Sequence, residues 1–259
     1  MKEKLYNLPK YYDIAFSWDI SRETTIFREL FKRHTPFKVK NILEPACGTG
    51  RFLVDLPKYG YHMTGYDNNS QMVAYAKKRI IESKLQNMAK VITGDMKSIR
   101  FKTKFDAAIN SINSVGYLLY NDDIITHFYN TGDSIKRNGI YIIHLSCAWD
   151  RLSPHEEEEW ITEREGIQIK TIWGVEKQDK QKKISFELCK MEINDEGRHI
   201  ILEEHHVLRL WFFEDLQNLI CKSKKFKLEA LYDEKLNQIP LDNHISGELG
   251  NLYYILKAL

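Results

Sequence analysis

The chain has 259 residues, with 38 Lys and Arg against 36 Asp and Glu and a formal net charge of +2. That length supports one large α/β domain or one domain plus an insertion, and the near-balance of charge excludes a general electrostatic pull toward nucleic acid. There is no apolar run of membrane-spanning length, the start is polar, and Cys47, Cys147, Cys189 and Cys221 lack C-x-x-C spacing; the expectation is a cytoplasmic protein with no membrane role, zinc site or disulfide framework.

Residues 1–20 gather Tyr6, Tyr11, Tyr12, Phe16 and Trp18 around Asp13 and Asp19, which by itself reads as an amphipathic leading helix. Ser21 is placed to cap a helix whose apolar stripe is Ile26, Phe27, Leu30 and Phe31, with Pro36 beyond its end. Val39 to Glu44 is the first strand, short and with an apolar Ile42-Leu43 centre, as a strand buried on both faces should have. A glycine turn follows, then a short helix through Phe52, Leu53 and Leu56, closed at Tyr59-Gly60. His62 to Tyr66 is a second strand stopping at Asp67-Asn68. Asn69 or Ser70 caps a helix carrying Met72, Val73, Ala76 and Ile80 at helical spacing. A third strand, Ala89 to Thr93, ends in Gly94-Asp95-Met96. The fourth, Lys104 to Ile109, runs into Asn110-Ser-Ile-Asn-Ser-Val-Gly-Tyr117. Asp122 or Asp123 opens a helix through Ile124, Ile125, Phe128 and Ile135, and Asn138-Gly139 turns into a fifth strand, Ile140 to Leu145.

From His155 the pattern changes. Glu158–Arg164, Ile167–Glu176, Lys183–Ile193 and Arg198–Leu210 read as β segments joined by turn signals, hence an antiparallel layer. Alternation slips near Cys189, where a bulge is expected. A helix, Phe213 to Cys221, and two strands, Phe226 to Tyr232 and Asn251 to Lys257, close the chain. The expected architecture is a Rossmann-like, seven-stranded doubly wound sheet with an antiparallel β insertion after the fifth strand. Its divisions are an N-terminal lid at 1–36, a core at 37–150, the insertion at 151–210 and a C-terminal completion of the sheet at 211–259.

In an open α/β sheet, ligands bind beyond the carboxyl ends of the strands, where the glycine turn lies. A dinucleotide fingerprint would need glycine at Leu53, and a phosphate-binding P-loop would need Lys and Ser or Thr where Arg51-Phe52 stand. What remains, Glu44-x-x-x-Gly48-x-Gly50, resembles the first motif of class I S-adenosylmethionine (SAM)-dependent methyltransferases. A carboxylate at the tip of the second strand, Asp67, suits ribose hydroxyls in NAD and SAM enzymes alike. The resemblance implies that Glu44, Ala46, Gly48 and Gly50 hold the methionine moiety and that Asp67 with Asn68 meets the ribose. It also implies that Asp95 and Met96 meet the adenine, that Tyr12 reaches the cofactor from a lid, and that Asn110 borders it. Glu44-Pro45 departs from the more usual Leu-Asp but keeps the charge. Nucleic-acid N6-adenine methyltransferases carry [DN]-P-P-[FYW] where this chain has Asn110-Ser-Ile-Asn, so nucleic acid is disfavoured as substrate.

Methyl transfer from a sulfonium is an in-line displacement, so alignment supplies much of the acceleration, and an ammonium acceptor needs a base. Tyr117 and His144 are the candidate catalytic residues, with His155 and Glu156–Glu159 as further basic groups; a packed strand histidine is the other reading of His144. Tyr117, Trp149 and Trp160 are placed to wall the acceptor. His205-His206 in a strand point to opposite faces and make no metal site. The insertion resembles the cover of aminosugar and related small-molecule N-methyltransferases. The expected function is therefore SAM-dependent methylation of an amine or hydroxyl on a small molecule. The alternatives are a non-catalytic SAM-binding or protein-docking module, or a methyltransferase of RNA or protein. An NAD-dependent oxidoreductase is disfavoured by Leu53, and a homodimer is left open.

Overall fold

The computed structural model describes residues 4–149, 152, 157–241, 245 and 247–259. Five parallel strands form the centre: β1 (Asn41–Pro45), β2 (His62–Asp67), β3 (Ala89–Thr93), β4 (Phe105–Asn110) and β5 (Ile135–Ala148). Three more, β10 (Phe226–Tyr232), β11 (Gln238–Ile239) and β12 (Glu248–Ala258), extend the sheet in the order β3-β2-β1-β4-β5-β12-β10-β11. The expected seven strands are thus present, with the two-residue β11 added at one edge. β12 is antiparallel to both β5 and β10. Because β12 inserts between them, β10 runs with the core strands, while β12 and the short β11 oppose them.

The pleat sorts the apolar residues onto two faces. Ile42, Ala107, Ile109, Ile140 and Ile142 pack with α2 (Ser21–His34), α3 (Arg51–Asp55) and α4 (Ser70–Glu82). Their neighbours Leu43, Ala108, Tyr141 and Ile143 pack with α5 (Asn121–Asp133) and α6 (Phe213–Lys222) on the other side. A strand buried on both faces must be apolar at every position, which is why these segments read as continuous rather than alternating. Asn69 caps α4 by accepting the N–H groups of Gln71 and Met72 at 2.9 and 3.1 Å. Ser21 does not cap α2. It is the first helical residue, and Asp19 takes its backbone N–H at 2.9 Å and its hydroxyl at 2.6 Å. α5 stops at Asp133, short of Ile135, which already belongs to β5. The expected turn at Asn138-Gly139 is a register shift inside β5, with Asn138 at φ 63°.

The second sheet, β6 (Glu158–Arg164), β7 (Ile167–Asp179), β8 (Ile184–Asp195) and β9 (Arg198–Arg209), is antiparallel in sequence order. Its β6–β7 and β8–β9 hairpins turn on Glu165-Gly166 and Glu196-Gly197, all four residues at positive φ, the geometry that matches strand twist in two-residue loops. The bulge expected near Cys189 is not in β8, which stays in register with β9 throughout. The irregularity lies in β7, between Val175 and Lys177. The slip in β8 has another cause: Cys189, Met191 and Ile193 face inward, and Ile184, Phe186 and Leu188 take the opposite face of the same regular strand.

The inward face of this sheet packs on α1 (Pro9–Ala15) and its flanks, where Leu5, Ile14, Ala15 and Phe16 meet Ile167, Ile169 and Met191. Asp13, buried on α1, pairs with Arg79 of α4 and with Arg164 of β6, the latter at 2.6 Å, and accepts the Tyr75 hydroxyl at 3.2 Å. Burial opposes its charge, but the two guanidiniums outweigh burial and hold the carboxyl below the usual range. One carboxylate thereby ties the amino-terminal segment to both sheets. No helix among the described residues is long and apolar enough to cross a membrane.

Candidate functional site

The strands β1, β2 and β4 end at one crevice, and the turn after β1 shapes its floor. Ala46, Gly48 and Gly50 all lie at positive φ, 52°, 53° and 76°. The Gly48 N–H donates to Asp67 Oδ2 at 2.9 Å, and the Asn69 N–H donates to Asp67 Oδ1 at 2.9 Å. This locks the carboxylate at the tip of β2 across the mouth of the turn. The two glycines differ in use. Nothing lies within 4 Å of a Cβ built on Gly48, whereas one on Gly50 would stand 3.0 Å from the Ala76 Cβ. Gly48 opens toward the crevice; Gly50 lets α4 pack against the turn and does not line the crevice, contrary to its expected place.

Two adjoining cavities occupy the crevice, of about 530 and about 440 Å³. The larger is bordered by Asp67, Asn68, Gly94, Asp95 and Met96 from the ends of β2 and β3. The smaller is bordered by Glu44 and Arg51 below and by Trp18, Glu158, Trp160 and Trp173 above. Tyr6, Tyr12, Ala46, Gly48, Ser114 and Tyr117 border both. Tyr12, Glu44, Ala46, Gly48, Asp67, Asn68, Asp95, Met96, Tyr117 and Trp160 are therefore brought together as the sequence predicts.

Four expected residues are elsewhere. His144 stacks on Tyr253 with ring centroids 4.3 Å apart, and neither ring nitrogen has a partner among the described residues. Burial pulls its pKa down to about 4, and it borders neither cavity. It is a packed strand histidine, because its parity along β5 turns it toward Tyr253 in the neighbouring strand. Trp149 stacks on Phe213 at 4.8 Å and joins the core on the α6 side. Asn110 is buried and braces the turn, donating to the Pro45 carbonyl at 3.0 Å and accepting the Val115 N–H at 3.2 Å. Gly50 is the fourth. His155 and Glu156 lie outside the described residues.

Several bordering residues have no role in the sequence reading. Tyr6 and Trp18 belong to the aromatic run at the amino terminus, but composition alone does not say which rings face a ligand. The Tyr6 and Tyr117 hydroxyls are 2.5 Å apart, and Tyr117 reaches His206 Nδ1 at 3.2 Å. His206 is buried and lies flat on Trp173 at 4.9 Å, while its neighbour His205 is exposed and pairs with Glu176 at 2.8 Å. The opposite orientation of the pair is the alternation expected of a strand. Both border the larger cavity, but only His206 is buried and reaches Tyr117; which of the two does so depends on how β9 packs, and no sequence signal carries that. Burial lowers the His206 pKa and raises that of Tyr117, so both groups are held neutral near pH 7.

The electrostatics of the floor discriminate between ligand classes. Glu44 is buried, its Oε2 has no partner among the described residues, and burial raises its pKa to about 8 despite Arg51 nearby. Burial raises Asp67 as well, against the pull of the N–H groups of Asn69 and Gly48. Such a floor carries acceptors for hydroxyls, and its one cation among the described residues is already engaged. Arg51, the one basic residue in the turn, is spent inside the fold: it donates to the Phe16 carbonyl at 2.7 Å and lies over the Trp18 ring at 4.6 Å. A pyrophosphate would meet a buried carboxyl, Glu44, and a half-buried one, Asp67, there. An ammonium joined to a ribose fits. Among the described residues, no group of three or more His, Cys, Asp or Glu side chains is arranged to hold a metal ion.

Comparison with known proteins agrees with this chemistry. Residues 42–139 match the family described as "Methyltransferase domain". The chain is 26% identical over 125 residues to the dTDP-3-amino-3,4,6-trideoxy-alpha-D-glucopyranose N,N-dimethyltransferase of Streptomyces venezuelae, covering 48% of this chain and 50% of that one. The chain spans about half the length of the curated relatives it matches. Among solved structures, a S-adenosylmethionine-dependent methyltransferase from Clostridium acetobutylicum superposes with a TM-score of 0.76 at 16% identity, over 98% of this chain and 99% of that one. SAM-bound CalS10, an amino pentose methyltransferase from Micromonospora echinaspora, gives 0.72 at 13% identity, over 99% and 98%. The chain thus shares the Rossmann-like fold of these structures over nearly all of its length, and residues 42–139 match the methyltransferase-domain family.

Proposed function

We propose that the protein is a SAM-dependent methyltransferase that acts on a small molecule. The observation that carries this reading is the buried Glu44 carboxyl, whose Oε2 has no partner among the described residues, beside a turn whose one basic residue is engaged by the Phe16 carbonyl and the Trp18 ring. SAM supplies the methyl group on a sulfonium, already joined to a good leaving group. In this reading Glu44 binds the α-ammonium and becomes ionised when it does so. Asp67, held by Gly48 and Asn69, keeps lone pairs free for the two ribose hydroxyls. Asp95 and Met96 hold the adenine at the far end of the larger cavity. The residues common to both cavities, above all Tyr6, Tyr12 and Tyr117, stand where donor and acceptor meet. They orient the acceptor and exclude water, and alignment of that kind accounts for much of the acceleration in a displacement reaction.

An amine is favoured as the acceptor by the name of the Streptomyces venezuelae relative, an N,N-dimethyltransferase of a dTDP-linked amino sugar. An acceptor nitrogen that arrives protonated has a route for its proton in the Tyr117 hydroxyl and the neutral His206 beyond it. That assigns to Tyr117 the role expected from sequence and replaces His144 with His206. A nucleic-acid substrate is disfavoured by the net charge of +2 and by Asn110-Ser-Ile-Asn in place of a proline motif.

Calorimetry with SAM, S-adenosylhomocysteine and NAD tests the reading. SAM and S-adenosylhomocysteine bind and NAD does not; Asp67→Ala lowers SAM affinity by about 100-fold, the scale of a lost pair of hydrogen bonds to a charged group. Binding of NAD, or full SAM affinity in Asp67→Ala, would overturn it.

A further inference from the structure

The smaller cavity has an upper wall made of indoles rather than of polar groups. Phe16 is the hub: Trp18, Trp160 and Trp173 meet it edge to face, at 5.6, 5.6 and 6.2 Å between ring centroids. Two of the indole N–H groups are consumed inside the protein. Trp160 donates to the Ala15 carbonyl at 2.7 Å, and Trp173 donates to Glu187 Oε2 at 2.7 Å. Trp160 and Trp173 therefore offer a ligand π faces and edges rather than hydrogen-bond donors. It also holds one cation already, since the Arg51 guanidinium lies over the Trp18 ring.

A carboxylate stands at the lip of the same cavity. Glu158 borders it, is exposed, and has no ion pair to any described residue. The next residue, Glu159, turns to the other face of β6 and pairs with Lys170 at 2.9 Å. Strand parity thus separates a surface ion pair from a carboxylate left free beside three tryptophans. Among the described residues, Arg51 is the only Lys or Arg that borders this cavity, and it is engaged.

We infer that this cavity selects its acceptor as a cation, an ammonium on an apolar or ring-shaped frame held between the indole wall and Glu158, and that it does not take a nucleoside diphosphate. This rests on the methyltransferase reading above and narrows it. A quadrupolar ring face attracts a cation most strongly when water is displaced, and a carboxylate at the entrance adds charge without filling the cage. A diphosphate carries the opposite charge and finds neither a free guanidinium nor a free ammonium among the described residues that border this cavity. The inference departs from the dTDP-linked substrate named for the Streptomyces venezuelae relative.

The test uses the full chain saturated with S-adenosylhomocysteine and three probes: phenethylammonium, its neutral counterpart 2-phenylethanol, and dTDP. Phenethylammonium is expected to bind at least tenfold more tightly than 2-phenylethanol, and dTDP not to bind. Glu158→Gln, a change at an exposed side chain, is expected to lower the affinity for the ammonium about tenfold and to leave that for the alcohol unchanged. Equal affinity for ammonium and alcohol, an ammonium affinity indifferent to Glu158→Gln, or binding of dTDP would each overturn the inference. Titration of S-adenosylhomocysteine alone separates the two levels. Its failure to bind strikes at the methyltransferase reading, whereas its binding with no preference for the cation strikes only at the acceptor class.

Discussion

The floor and the roof of the crevice are assembled by different rules. The floor comes from one continuous run of chain, in which parallel register brings the ends of β1 and β2 side by side, Glu44 opposite Gly65 and Pro45 opposite Tyr66. Its functional groups are carboxylates and backbone N–H groups, fixed wherever the strands stop. The roof has no such run. Tyr6 comes from the amino terminus, Tyr117 from the loop after β4, and His206, Trp160 and Trp173 from the second sheet, and they meet only through ring contacts and hydrogen bonds. A floor built from sheet register resists change one residue at a time. A roof built from distant side chains depends on the few groups that hold its parts together.

The largest expected effect breaks the roof away from the floor. Asp13→Ala removes the one carboxylate shared by Arg79 and Arg164 and leaves two guanidiniums without their partner, a loss on the order of 3 kcal/mol in stability when a buried pair is broken from one side. Chemical denaturation measures that loss. SAM titration of the protein that remains folded is expected to show the floor still competent, with weaker affinity only so far as the roof contributes. If stability is unchanged, the roof is held by apolar packing alone.

A second test works on the floor and reads out through pH. Glu44 has its ordinary pKa of 4.5 when unfolded and about 8 when folded without a ligand. A carboxyl raised on folding costs stability: the cost is absent below the unfolded pKa, grows as pH rises through the interval, and levels off above the folded value. Glu44→Gln is therefore expected to raise the melting temperature by several degrees at pH 8 and by much less at pH 5, while weakening SAM binding by about tenfold or more. In the wild-type protein the same linkage predicts proton release when SAM binds at pH 7, seen as a dependence of binding enthalpy on buffer ionisation. A melting temperature equally indifferent at both values would show that Glu44 already has a cation.

The smallest expected effects sharpen the comparison within the glycine turn itself. Gly50→Ala meets the Ala76 Cβ at 3.0 Å with φ at 76°, so it is expected to cost about 1–2 kcal/mol of stability and to spare binding where the protein is folded. Gly48→Ala has open space around it and a milder φ of 53°. It is expected to cost about 1 kcal/mol or less of stability and to obstruct SAM. Denaturation and calorimetry on the pair separate a glycine kept for packing from one kept for a ligand.

Much of this was determined by the sequence alone. Short strand-like runs ending in Glu44, Asp67 and Gly94-Asp95, alternating with helical patterns, announce parallel strands with acids at their tips. The order of the chain then puts those tips on one edge of the sheet, because each crossover returns the chain in the same direction. The glycine spacing and the residues at Arg51 and Leu53 separate the turn from phosphate-binding turns by local chemistry. Local rules also explain the misassignments. The slip near Cys189 imitates a bulge because a strand with one apolar face in its first half and the other in its second loses its simple alternation. His144 reads as a base because a histidine at a strand end has the same local signature whether it faces a cavity or Tyr253.

What only the tertiary structure decided is the pairing of groups far apart in sequence. The Tyr6 and Tyr117 hydroxyls are separated by 111 positions, and Tyr117 and His206 by 89. The face of β9 that turns inward is set by where the second sheet packs on α1, and with it the choice of His206 over His205. The same packing makes Trp160 part of the site and leaves Trp149 in the core against Phe213. Periodicity tells which residues share a face; it does not tell what that face will meet, since the answer lies in apolar surface contributed by other segments of the chain.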